Sequence, residues 1–126
     1  MVDVTPMVTA DSKVIQSYGG MGFKVSQEDY QGPTLVFPKL VTEWIAPEDP
    51  KDLELGHFSP LIGADNVDVV LFGGGERAVF LDPEIREFLS AQGVVVESMD
   101  TGAACRTYNV LLAEERNVAA ALYPVA

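Results

Sequence analysis

Cysteine and histidine are almost missing from this sequence, which holds one of each, Cys105 and His57. A single thiol cannot close a disulfide within the chain, and one thiol with one imidazole cannot complete a zinc site. Positive charge is scarce too: eight Lys and Arg stand against nineteen Asp and Glu, a formal net charge of -11. Nucleic-acid backbones and anionic membranes both need clustered cations, so neither is expected as a partner. No apolar run approaches the roughly 20 residues that cross a bilayer, so no direct membrane insertion is expected. The stretch Met1 to Ser12 carries acids and no base, unlike the cationic start of a signal or transit peptide. With the lone thiol, this predicts a reducing, cytoplasmic setting.

What is present is apolar enough to fold: 48% of the 126 residues are hydrophobic. That suits a single domain over residues 1–126, with residues 1–12 as a loose lead-in. Val14 to Tyr18 is strand-like and is broken at Gly19-Gly20-Met21-Gly22. Phe23-Lys24-Val25 and Tyr30 flank the polar turn Ser26 to Asp29, which reads as a hairpin. Thr34 to Phe37 and Leu40 to Ile45 are the next strands, bent or placed at an edge by Pro38. Ala46 to Gly56 is an acidic loop. Phe58 to Gly63 suggests a short helix with Ser59 as its cap and Pro60 in its first turn.

The second half alternates. Val67 to Phe72 is a buried-type strand that ends at Gly73-Gly74-Gly75. Asp82 and Pro83 open a helix whose buried stripe is Ile85, Phe88 and Leu89, and Gly93 stops it. Val94 to Glu97 follows, giving a parallel strand–helix–strand unit. Asp100 or Thr101 caps a second helix that runs to about Glu115. Its wheel puts Ala104, Tyr108, Leu111 and Leu112 on one face and Gly102, Arg106, Asn109 and Ala113 on the other. Val118 to Tyr123 is a final strand. The order predicts an α/β sandwich with extra β structure on one side. Phe23, Tyr30, Phe37 and Trp44 read as core, and His57 as a loop residue.

Three features are candidates for chemistry. Gly73-x-Gly75-x-x-Ala78 resembles a dinucleotide fingerprint, but such a helix must begin at the glycines, and here it begins at Asp82-Pro83. A tight turn is the simpler reading. Cys105 lies early in its helix beside Arg106, where a thiol's pKa can fall, yet no histidine is near in sequence. Burial as a small apolar residue is the plain alternative. Asp100, Arg106 and Asn109 form a polar set at the helix start, fit either for a partner or for internal pairing.

The run Met99-Asp100-Thr101-Gly102-Ala103-Ala104-Cys105-Arg106-Thr107-Tyr108-Asn109 resembles the domain of unknown function 498 family, which includes the mitochondrial complex I assembly factor 3. Tyr18-Gly19-Gly20-Met21-Gly22-Phe23, Val36-Phe37-Pro38 with Trp44, the Gly73 to Gly75 turn and Val118 to Pro124 carry the resemblance across Val14 to Pro124. It implies an α/β layered sandwich with a mixed central β-sheet, a β-hairpin layer on one side and helices on the other. It also implies a protein-binding role, since the mitochondrial member assists assembly of a respiratory complex. Without a presequence, the chain looks like a bacterial member. The family's frequent Gly-Thr-Gly turn is Gly73-Gly74-Gly75 here, so no hydroxyl stands at its middle.

The expected function is non-enzymatic: a protein-binding or respiratory-complex assembly-type factor, with respiratory-complex subunits as partners and no cofactor. Its site is expected at Gly73, Gly74, Gly75, Asp100, Thr101, Gly102, Cys105, Arg106 and Asn109, with Arg106 and Asn109 facing the partner. The alternative is a small-molecule pocket or small enzyme in the same place, with Cys105 or Asp100 reactive. A buried Cys105 removes the nucleophile. Internal pairing of Arg106 and Asn109 removes the partner-facing stripe.

Overall fold

A five-stranded mixed sheet organises the fold of this computed structural model, which describes residues 2–5, 11–63 and 66–126. The strands, in chain order, are β1 (Val2–Asp3), β2 (Ile15–Gly19), β3 (Gly22–Val25), β4 (Glu28–Gln31), β5 (Thr34–Phe37), β6 (Leu40–Glu43), β7 (Val69–Gly73), β8 (Val95–Met99) and β9 (Val118–Leu122). Helix α1 is Pro83–Ala91 and helix α2 is Thr101–Ala113. The large sheet has the order β6-β5-β9-β7-β8. β5 runs antiparallel to β6 and β9, while β7 runs parallel to β8 and β9. The first four strands form a separate antiparallel sheet in sequence order.

The α/β class with a mixed central sheet is as expected, and the layers sort by alternation. Along β9, Ala119 and Ala121 join one core with Val70 and Phe72 of β7, Ile85 and Leu89 of α1, and Trp44. Val118, Ala120 and Leu122 join the other with Leu71, Ala104, Cys105 and Tyr108, and with Ile15, Phe23 and Val25 of the small sheet. Period-two side chains thus divide one strand between two cores. The helices are divided as well: α1 packs on one face, and α2 lies on the other together with the small sheet. Alanines on β9 leave room for this close double packing.

Trp44 anchors the α1-side core edge-on to Phe58, Phe72 and Tyr123, with ring centroids 5.6, 6.2 and 5.5 Å away. Its ring N–H donates to the His57 carbonyl at 2.8 Å, so its one polar atom is satisfied. Asp82 caps α1 by accepting from the Glu84 amide at 3.2 Å, and Gly93 takes φ 83°, which suits glycine. Ile85 and Leu89 bury the inner stripe, each contributing about 2 kcal/mol.

Several local expectations change. Phe88 is 39% exposed, because α1 meets the sheet along the narrower Ile85–Leu89 line. The helix expected over Phe58 to Gly63 is a 3-10 segment over Leu55–Leu61, with Pro60 inside it and Glu54 at its cap. The lead-in contains a strand, since Val2 pairs with Tyr18 and Asp3 with Ser17. Residues 1 and 6–10 of that lead-in lie outside the described residues. Among the described residues no helix is long and apolar enough to cross a membrane.

Candidate functional site

β7, β8 and β9 end side by side, and α2 starts at the same place. Asp100 caps α2, accepting from the Ala103 amide at 2.8 Å. Thr101 is fully buried. Its N–H donates to the Gly75 carbonyl at 2.9 Å. Its hydroxyl accepts from the Gly75 amide at 3.0 Å and donates to the Tyr123 carbonyl at 2.7 Å. The Gly74 amide donates to the Met99 carbonyl at 3.0 Å, and the Tyr123 amide to the Gly73 carbonyl at 2.8 Å. One threonine thus ties the ends of β7 and β9 to the start of the helix.

The same bonds dispose of a dinucleotide site. The amides of Gly74 and Gly75 are spent inside the protein, and α1 begins only at Pro83. A Cβ on Gly73 would lie 3.0 Å from Thr101 and Leu122, and one on Gly74 would lie 2.8 Å from the Val79 nitrogen. These glycines let backbone approach backbone.

Further along α2, the expected outward stripe turns inward. Asn109 is buried. Its side-chain amide donates to the carbonyls of Ile15 (2.8 Å) and Val4 (3.0 Å), and its oxygen accepts from the Ile15 amide (3.1 Å). Asn109 therefore faces the protein's own β2, not a partner. The cause is the small sheet, which covers the flank that a one-sided wheel assigns to solvent. Gly102 is buried on that flank as well, with a Cβ position only 2.5 Å from the Tyr18 hydroxyl. Arg106 stays exposed, and its Nη1 donates to that hydroxyl at 3.2 Å.

Cys105 is buried among apolar side chains, which removes the nucleophile. Burial pushes its thiol up to about 12, with Arg106 pulling weakly downward and Asp100 adding to the rise. Tyr108 is raised by burial too, and its hydroxyl donates to the Lys13 carbonyl at 2.9 Å. Among the described residues no three His, Cys, Asp or Glu side chains gather as a metal site. Of the expected site residues, then, Gly73, Gly74, Thr101, Gly102, Cys105 and Asn109 point into the fold. Gly75, Asp100 and Arg106 reach the surface. Tyr18 was not among the expected site residues, although its Tyr-Gly-Gly-Met-Gly-Phe run was a signal for it.

The chain is similar in sequence and fold to known proteins. Over 117 residues the chain is 35% identical to NADH dehydrogenase (ubiquinone) 1 alpha subcomplex assembly factor 3 of Xenopus tropicalis, covering 92% of this chain and 63% of that protein. It therefore spans less than two thirds of that assembly factor. It is 34% identical over 111 residues to an uncharacterised protein of Rhodobacter capsulatus, covering 88% of this chain and 84% of that one. A crystal structure of a Bordetella parapertussis protein superposes with a TM-score of 0.82 at 36% identity, covering 90% of this chain and 96% of that one. The crystal structure of a Bartonella henselae protein described as an outer membrane protein gives 0.76 at 30% identity, covering 93% and 98%. The pattern of the proteins of unknown function DUF498/DUF598 matches residues 15–123, and the chain belongs to that family.

Proposed function

We propose that this protein is a non-enzymatic binding factor of assembly type, acting on subunits of a respiratory complex. The carrying observation is how the α2 run is used. Its thiol and its asparagine are consumed inside the fold, while Arg106 stands at the surface, braced by Tyr18. A guanidinium fixed in this way is a recognition group: its remaining donors match a carboxylate or carbonyl on a partner, and arginine is frequent among residues that dominate interfaces. Its charge is also a local exception on a chain of net charge -11. Gly75 and Asp100 are partly exposed at the sheet end where the same helix begins. The assembly-factor relatives supply the partner class.

The test is affinity capture at native abundance from the source organism, comparing the wild type with Arg106→Ala. Respiratory-complex subunits are expected with the wild type and at least about tenfold less with the variant, at unchanged urea stability. Equal capture by both removes Arg106 from the interface. A defined bound metabolite with no protein partner favours a small-molecule pocket instead.

We assign its work to the cytoplasm, on the support of the single, buried thiol. Cell fractionation checks this: recovery only in a detergent-extracted membrane fraction overturns it.

A further inference from the structure

β8 is the outermost strand of the large sheet, and among the described residues no strand lies beyond it. The Val95 amide donates to the Asp68 carbonyl at 2.9 Å, and the Met99 carbonyl accepts from the Gly74 amide at 3.0 Å. Odd-numbered residues of β8 therefore aim their backbone groups inward. With a period of two, Val96 and Ser98 aim theirs at the open edge. Protein edges are usually blunted by lysine, proline, bulges or short length. β8 has the sequence Val-Val-Glu-Ser-Met and five residues, with no proline, no lysine and a regular register against β7. Val95 is 51% exposed on one face. Beside the strand runs a groove of about 230 Å³ between Arg86, Glu87 and Ser90 of α1 and Val94 to Val96.

Charge selects the occupant. A second copy pairing over the whole of β8 across a twofold axis would set Glu97 opposite Glu97, between two chains of net charge -11 each. Like charges directly opposite destabilise a strand pair. A lysine or arginine beside Glu97 does the reverse.

We propose that the β8 edge takes up an extended, cationic segment of another protein as a sixth strand, with its basic side chains on the face of Val95 and Glu97 and its apolar side chains on the opposite, Val96 face beside the groove. Main-chain bonds to Val96 and Ser98 supply affinity, and the alternating side chains supply selection. This surface is separate from the Arg106 rim, and its test does not depend on that rim.

The probe is a short synthetic peptide of alternating valine and lysine. Controls are its valine–glutamate counterpart and a peptide of the same composition with valines and lysines in blocks. Amide exchange is followed by NMR. Only the alternating lysine peptide is expected to slow exchange at Val96 and Ser98, by about tenfold or more. Ser98→Pro removes an outward donor without touching the bonds to β7, and it is expected to abolish that protection. Should Ser98→Pro not fold, Glu97→Lys keeps the test: its preference is expected to switch to the glutamate peptide. Protection that is absent, spread over other edges or equal for the three peptides overturns the proposal. So does a free protein that is dimeric by sedimentation with Val96 and Ser98 already protected.

Discussion

Tyr18 occupies the space that a side chain on Gly102 would need. The Cβ of any other residue there would sit 2.5 Å from the Tyr18 hydroxyl and 3.0 Å from its ring. Alanine at position 102 would gain about 1 kcal/mol of helix propensity. Overpacking costs about 1–3 kcal/mol and is the larger effect, because α2 is held from both sides. Gly102→Ala is therefore expected to lower urea stability. Tyr18→Ala in the same chain should restore it, with the propensity gain then visible. Additive effects of the two changes would contradict the contact.

Asn109 holds β2 against α2 with three bonds to main-chain atoms of Val4 and Ile15. Asn109→Ala strands those groups in a buried place and is expected to cost about 3 kcal/mol. Asn109→Asp can accept from Ile15 but cannot donate to either carbonyl while ionised. Its loss at pH 7 should shrink as the solution is acidified. Urea denaturation at two pH values reads both.

Thr101 joins the Gly75 amide to the Tyr123 carbonyl through one hydroxyl. Thr101→Val keeps the shape and removes both bonds, at an expected cost of about 2 kcal/mol. Thr101→Ser keeps the hydroxyl and should cost less. A serine variant as unstable as the valine variant would show that the methyl group matters more than the bonds.

Alkaline pH should unfold the protein through its buried acids. The Cys105 thiol has an ordinary value of 9.0 and is pushed up to about 12 in the fold by burial. Tyr123 moves from 10.0 up to about 12, from burial first and then from Asp49 and Asp52. Both groups are raised, so their neutral forms stabilise the fold fully below about pH 9. That contribution declines as pH rises toward about 12, because the unfolded chain ionises first. Urea midpoints measured from pH 7 to 11 should fall, and Cys105→Ala should flatten the onset near pH 9. Iodoacetamide should label Cys105 in urea and leave it untouched in the native protein. Rapid native labelling would restore the thiol as a candidate nucleophile.

α1 was legible because every signal was local: Asp82 and Pro83 at its start, Gly93 at its end, and Ile85 with Leu89 between them. The parallel β7–α1–β8 unit and the β3–β4 hairpin were legible for the same reason. α2 was only half legible. Its Ala104–Tyr108–Leu112 face reads as core in any hydropathy pattern. Its other buried face is made of Gly102 and Asn109, which bury themselves by contact with a distant tyrosine and a distant strand backbone. Hydropathy carries no sign of a polar side chain bonding to a main chain 94 residues away. Phe88 shows the opposite failure, an apolar residue at the right spacing on a helix that meets the sheet along a narrower line. β1, with two residues, is too short to show any period.

The position of β9 has a consequence for how the chain folds as it is made. β9 is synthesised after β5, β7 and β8, yet it lies between β5 and β7 and divides its side chains between both cores. A ribosome that has released everything up to α2 has released two fragments of the large sheet, β5–β6 and β7–β8, with no strand to join them. The small sheet must likewise wait for α2 to cover Ile15. Until β9 emerges, the apolar faces of β5 and β7 are open to aggregation or to a chaperone. Premature termination before Val118 should therefore yield insoluble chains rather than a smaller folded protein.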